Sequence, residues 1–250
     1  MPIKQKQMIA VWGSPSSGKT VTSIKIAAEL AKRNLNVIVV CCDLSAPAVP
    51  TLIKSKRTSA VSIGDVLEAP IITQDVILKN CVSFEKNPFI TLLGYKMGES
   101  VFDFAEYTKE RAVDLLVQLR HIADFVIVDC VSDLTNNILS AMAMELSDNV
   151  LRLCPNNLKA ISYFATYMPI ISDAKFKASK HIKVLSCTRA GSGDEYIEAY
   201  SGVAHCLPYL PAIEQQNAEM TLTEPLSGKD AKAYEPVIAA IAKGVFKNAE

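Results

Sequence analysis

The sequence has 250 residues and a mass of 27.2 kDa, a size that open α/β sheets commonly reach as one domain with a substantial buried core. Half of its residues are hydrophobic and 26 basic side chains balance 26 acidic ones, so bulk charge draws it toward neither nucleic acid nor an anionic membrane. No basic segment followed by an apolar core stands at the start, and no apolar run reaches the roughly 18 residues of a membrane span, which points to a soluble, cytoplasmic protein.

In chain order, "MIAVW" at 8–12 reads as a buried strand. The segment 21–33 then carries helical periodicity, with apolar Val21, Ile24, Ala28 and Ala31 and a Glu29/Arg33 pair in the favourable order. "NVIVVCC" gives a second buried strand. Residues 54–88 are less regular: a basic loop "KSKRTS", a short helix around "SIGDVLEA" and a strand at "CVSFE". Apolar runs at "FITLLG", "FVIVDC", "NVLRLC" and "IKVLSC" follow, separated by helical segments at 104–122, 137–146 and 157–171. Strands that are apolar on both faces and joined by helices describe a doubly wound, mainly parallel α/β sheet covered on both sides. Residues 1–250 are expected to form a single domain.

Seven cysteines, Cys41, Cys42, Cys81, Cys130, Cys154, Cys187 and Cys206, lie mostly in or beside apolar runs, where a thiol packs as a small hydrophobe. No C-x-x-C spacing occurs, and adjacent Cys41 and Cys42 on a strand point to opposite faces, so reduced structural thiols are expected.

Between the first strand and helix stands "GSPSSGKT", a G-x-x-x-x-G-K-T phosphate loop. The backbone amides of Gly13, Ser14, Pro15, Ser16, Ser17, Gly18, Lys19, Thr20 and Val21 provide the cradle, apart from Pro15, which has no N–H. Lys19 reaches the terminal phosphates of ATP, and the Thr20 hydroxyl is placed to ligate Mg²⁺. Asp43 follows the second strand in "DLSAPAVP", placing a carboxylate at the C-terminal edge of the sheet, to orient a water or hold the metal; a turn or cap role is the alternative. Asp129 ends "FVIVD" and reads as the acidic strand-end residue that contacts Mg²⁺, with Asp133 a weaker candidate. Lys19, Asp43 and Asp129 are the candidate catalytic residues; Thr20, Asp43 and Asp129 are the candidate metal ligands.

Together these segments resemble the MinD/ParA-type P-loop ATPases over nearly the whole chain. "DLSAPAVP" is similar to the D-x-x-x-P-x-x-P stretch of the Mrp-like and tyrosine-kinase-like branches. "VLSCTRAGSGD" and "HCLPYLPAI" resemble the strands that flank adenine, which implicates Thr188, Arg189, Pro208 and Tyr209. The resemblance implies ATP and Mg²⁺ binding, a homodimer facing across the nucleotide, and hydrolysis that resets a cycle of partner binding.

The chain departs from this pattern where most members have a lysine directly after the first loop glycine, because Ser14 stands there and a hydroxyl supplies no cationic contact to a partner. Pro15 and Ser16 replace usual glycines, and Cys41 stands where many members have an aspartate. Loss of the loop lysine with Lys19 and Asp129 retained resembles the TadZ/CpaE-like members, which position pilus or secretion machinery at a cell pole. An ATP-gated scaffold with little hydrolysis and a metabolic ATP-dependent enzyme of the same fold are the alternatives. The C-terminal segment "EPVIAAIAKGVFKNAE", with Ile238, Ile241 and Val245 on one face and Lys243 and Lys247 elsewhere, is either a membrane-touching helix or the last helix packed on the sheet. "KSKR" is either a DNA-phosphate contact or a solvated loop.

Overall fold

The computed structural model describes residues 6–188 and 193–246. The chain runs β1 (Gln7–Gly13), α1 (Lys19–Ala31), β2 (Val37–Cys41), α2 (Val49–Leu52), α3 (Ile63–Glu68), α4 (Gln74–Lys79), β3 (Val82–Ser83), β4 (Ile90–Gly94) and α5 (Lys109–Ile122). It continues through β5 (Phe125–Asp129), α6 (Ile138–Leu146), β6 (Asn149–Pro155), α7 (Leu158–Ile171), β7 (His181–Thr188), α8 (Asp194–Ala199), β8 (His205–Pro208), α9 (Pro211–Glu219) and α10 (Gly228–Val245). The strands form one sheet in the order β3-β4-β2-β5-β1-β6-β7-β8, parallel throughout except for β3, which pairs antiparallel with β4.

The alternation of side chains along a strand divides the core in two. On one face Met8, Ala10 and Trp12 pack with Leu115 and Leu119 of α5, Met142 of α6 and Phe164 of α7. On the other, Ile9 and Val11 meet Ile24, Ala27 and Leu30 of α1 and Ile238, Ile241 and Val245 of α10. Cys41 belongs to the second face and Cys42 to the first, as neighbours on a strand must.

Helix α1 departs from the expected stripe. Ile24 and Ala31 are buried, but Val21 and Ala28 are only half-buried, while Thr22, Ser23, Lys25, Ile26, Ala27 and Leu30 are buried as well. The helix is clamped between the sheet and α10, so a broad arc of its surface is covered. Burial of Lys25 lowers its pKa to about 8, and its amine donates to Gln216 Oε1 and to the Glu224 carbonyl. Glu29 pairs with Lys32 at 2.8 Å, not with Arg33.

Helix α5 starts at Lys109, five residues later than the apolar pattern suggests. Phe104 is taken by packing against Tyr95 and over Gly64, and the Ala105 N–H donates to Glu68 Oε1, which holds this stretch out of the helix. In the basic loop, Arg57 donates to the carbonyls of Lys79 and Cys81 at 2.7 and 3.2 Å, so its guanidinium braces the approach to β3. The apolar side of α10 is buried against the sheet, which removes Ile238, Ile241 and Val245 from any bilayer; Lys247 lies outside the described residues. No described helix is long and apolar enough to cross a membrane.

Candidate functional site

At the C-terminal end of β1 the chain turns into α1 through residues 13–18. Gly13 is required by close approach: a Cβ there would meet the Leu153 carbonyl and lie 2.8 Å from Ser17 Oγ. Gly18, the residue before the helix, has φ 82°, a left-handed conformation that costs glycine little. Ser16 also adopts a positive φ, 58°, so the serine keeps the backbone path that a glycine would take more easily. The first turn of α1 carries no acidic side chain of its own that would compete with an anion for its N-terminal amides.

Ser14 is 3% exposed, with its hydroxyl turned to the Pro15 carbonyl at 3.5 Å. It is folded into the loop rather than directed outward. Ser17 is fully buried, and its Oγ finds no hydrogen-bond partner among the described residues.

Lys19 directs its three N–H donors at Ser132 Oγ (2.7 Å), the Ser14 carbonyl (3.2 Å) and the Gly13 carbonyl (3.5 Å). Burial lowers its pKa, against the opposing pull of Asp129, Cys130 and Asp43. Thr20 donates its hydroxyl to Asp129 Oδ2 at 2.5 Å. Asp129 ends β5 in register with Val11 of β1 and with Cys41 at the end of β2, and is 6% exposed. Burial raises its pKa to about 6, despite the Thr20 hydrogen bond and Lys19, with Asp43 adding to the rise. Its second oxygen, Oδ1, is buried and accepts no hydrogen bond from the described residues.

A buried, partly unsatisfied carboxylate beside a threonine hydroxyl is the donor set that Mg²⁺ accepts, with phosphate oxygens and water filling its remaining positions. The residues present therefore fit Mg²⁺ and a nucleotide phosphate. Among the described residues no three His, Cys, Asp or Glu side chains cluster as a metal cage, so any ion here depends on such outside oxygens.

Asp43 sits just beyond β2, half-buried, near enough to influence Lys19 and Asp129. Its Oδ1 accepts from the Ala46 N–H at 2.9 Å, so the aspartate also closes the turn that the alternative reading expects. Asp133 is committed elsewhere: the Thr135 N–H and hydroxyl, the Asn136 amide and the Tyr167 hydroxyl all donate to it, and these bonds hold its pKa down to about 2. It caps a turn at the edge of the site.

The adenine-side candidates come together at the same edge. Thr188 donates to the Leu207 carbonyl at 3.0 Å and lies in register with Pro208, and the Tyr209 N–H donates to the Thr188 carbonyl at 2.8 Å. The Tyr209 hydroxyl is bonded to Glu214. Cys187 Sγ stands 3.9 Å from where a Gly18 Cβ would be, which joins this edge to the phosphate loop. Arg189 lies outside the described residues.

Ser132 was not legible as a site residue. It sits three positions beyond Asp129, and a hydroxyl in that loop is the only signal the sequence offers for an acceptor to Lys19.

Comparison with known proteins agrees with this geometry. A family model described as AAA domain matches residues 8–183. The fold matches that of a ParA family ATPase from Chlorobium tepidum TLS with a TM-score of 0.79, at 14% identity, covering 95% of this chain and 98% of the other. It matches MinD from Pyrococcus horikoshii OT3, complexed with Mg-ADP, with a TM-score of 0.72 at 16% identity, covering 97% of each chain. It also matches cobyrinic acid a,c-diamide synthase from Mycobacterium smegmatis, with bound ATP analog and magnesium, with a TM-score of 0.68 at 17% identity, covering 95% of each chain. No curated protein matches the sequence. The fold is thus that of the MinD and ParA ATPases.

Proposed function

The chain belongs to the AAA domain family and has the MinD/ParA-type P-loop fold, and from that premise we propose that it binds ATP with Mg²⁺ and hydrolyses it slowly, as a nucleotide-controlled switch. One observation carries the reading: Asp129 gives one oxygen to Thr20 and keeps the other buried and unbonded beside the phosphate loop. An ionised carboxylate in that position is costly without a cation to meet it.

In this reading the loop amides from Gly13 to Val21, other than the proline, hold the phosphates, and Thr20 and Asp129 hold the metal directly or through water. When bound, Mg²⁺ neutralises phosphate charge. Lys19 exchanges one of its three acceptors for a terminal phosphate oxygen and stabilises the charge that develops there. Asp43 orients the attacking water, and Thr188, Pro208 and Tyr209 flank the base, with Arg189 assigned to the same role.

Ser14 supports the slow-turnover part of the proposal. A buried serine delivers no cation to a neighbouring subunit, so a second chain would gain no charged contact at the phosphate from this position. A homodimer formed on ATP binding is still the expected oligomer. The C-terminal edge of the sheet carries exposed Met97, Val101 and Phe102 after β4 and exposed Leu158 at the start of α7, apolar groups suited to cover by a protein. The work of such a switch would be to position a pilus or secretion assembly from the cytoplasm, as the TadZ/CpaE-like pattern at Ser14 implies. A metabolic ATP-dependent enzyme of the same fold is the alternative reading.

Titration calorimetry of Mg-ATP and of ATP in excess chelator tests the reading. Affinity at least about tenfold weaker without the metal supports it; equal affinity in both removes Thr20 and Asp129 from the role.

A further inference from the structure

Lys19 is tied to the outer part of the molecule through one short loop. Ser132, whose hydroxyl accepts from the Lys19 amine at 2.7 Å, has its own carbonyl fixed by two donors, the Tyr163 hydroxyl and Trp12 Nε1. The next residue, Asp133, accepts from the Tyr167 hydroxyl at 3.0 Å. Tyr163 and Tyr167 lie one turn apart on α7, with ring centroids 4.5 Å from each other and each 5.8 Å from that of Trp12. Two consecutive residues of the loop after β5 are therefore gripped by two consecutive turns of one helix.

Helix α7 has one side on the core and an apolar remainder facing out. Ala160, Phe164 and Ile171 are its buried positions, while Leu158, Met168 and Ile170 are exposed apolar side chains. The Tyr163 hydroxyl joins α7 to the Ser132 carbonyl, the Tyr167 hydroxyl joins it to Asp133 next in the chain, and the Ser132 hydroxyl reaches Lys19. All three donors of the Lys19 ammonium are occupied in this arrangement, two of them by carbonyls of the phosphate loop itself. The Ser132 hydroxyl is the one acceptor outside that loop, so it is the contact whose release frees Lys19 for a phosphate without unravelling the cradle.

We propose that Tyr163 is a positioning residue that acts through Ser132 to set where the Lys19 amine waits and when it transfers to ATP, which couples α7 to the phosphate site; Tyr167 holds the adjoining Asp133. The inference rests on the ATP-binding reading above. It makes Trp12, the only tryptophan of the chain, a reporter, because its indole N–H shares the Ser132 carbonyl with Tyr163.

The test combines binding, turnover and emission for the wild type, Tyr163→Phe, Ser132→Ala and the double variant. Calorimetry reads Mg-ATP binding independently of the relay. Trp12 emission is expected to change when Mg-ATP binds the wild type and to lose most of that change in Ser132→Ala, while calorimetric affinity stays within about threefold. Tyr163→Phe keeps the ring and removes one hydroxyl; it is expected to lower kcat about threefold to tenfold with KM for ATP nearly unchanged. Because Tyr163 acts through Ser132, the double variant is expected to match Ser132→Ala alone. Absence of Mg-ATP binding to the wild type overturns the functional reading and the relay together. Binding accompanied by an emission change that survives in both variants overturns the relay alone, as does a double variant whose losses multiply. If turnover is too slow to measure, the emission arm decides by itself.

Discussion

Replacing Asp129 with asparagine separates the cost of the buried charge from its use. The folded protein raises the pKa of this carboxyl from its ordinary value of 3.8 to about 6, chiefly by burial. At about 1.4 kcal/mol per pKa unit, ionised Asp129 destabilises the nucleotide-free fold by on the order of 3 kcal/mol at neutral pH. The sign follows from proton binding. Between about pH 4 and 6 the folded state holds this proton more tightly than the unfolded state, so its contribution to stability falls as pH rises through that window and then levels. Asparagine keeps an acceptor for the Thr20 hydroxyl and carries no charge. Asp129→Asn is therefore expected to match the wild type near pH 4 and to exceed it by up to about 3 kcal/mol at pH 7.5, which is about 6–12 °C in Tm for a chain of this length. Urea or thermal unfolding of both proteins without nucleotide, at intervals from pH 4 to 8, measures the difference directly. Adding Mg-ATP is expected to raise the wild-type Tm and to raise that of the variant much less, since ligand binding stabilises only through the site it uses. A variant less stable than the wild type at pH 7.5, or a stability difference that does not change with pH, refutes the reasoning.

Gly13→Ala places a Cβ against the Leu153 carbonyl and Ser17 Oγ; a loss of about 2 kcal/mol or more in urea unfolding, with loss of nucleotide affinity, is expected. Five cysteines are buried and Cys187 and Cys206 are exposed, so a colorimetric thiol titration of the native protein is expected to label two quickly and the others only on unfolding. Mg-ATP is expected to slow labelling of Cys187 beside Gly18 and to leave Cys206 unaffected, as peptide mapping of the modified protein would reveal.

The parts of this molecule that were legible in its sequence are those where a local pattern has one structural solution. Apolar runs flanked by helical periodicity specify buried parallel strands, and "GSPSSGKT" between such a strand and a helix specifies a loop that wraps phosphate. Asp129 follows from the same logic, because an acid ending an apolar strand emerges at the ligand edge of the sheet. What was missed depends on contacts between distant segments. The apolar pattern places the start of α5 too early because Phe104 is in the right phase, yet its ring is taken by Tyr95 and Gly64. The near-complete burial along α1 requires α10, more than 200 positions away at its far end, and no periodicity in either helix announces that pairing. Ser132 bonds Lys19 across 113 positions, and Tyr163 reaches Ser132 across 31. Helix α4 is short and its apolar residues Val76, Ile77 and Leu78 run consecutively without helical spacing, and α9 carries little apolar signal, so α4 is marked by its cap, where Thr73 accepts from the Val76 N–H.

The central claim is that Lys19, with Thr20 and Asp129, serves ATP. Phosphate release from ATP by the purified wild type and by Lys19→Ala, each with Mg²⁺ and with chelator, tests it most directly. The account predicts slow turnover by the wild type that needs Mg²⁺ and falls about a hundredfold or more on removal of the Lys19 amine. Turnover that is the same in both proteins, or that persists in chelator, contradicts it.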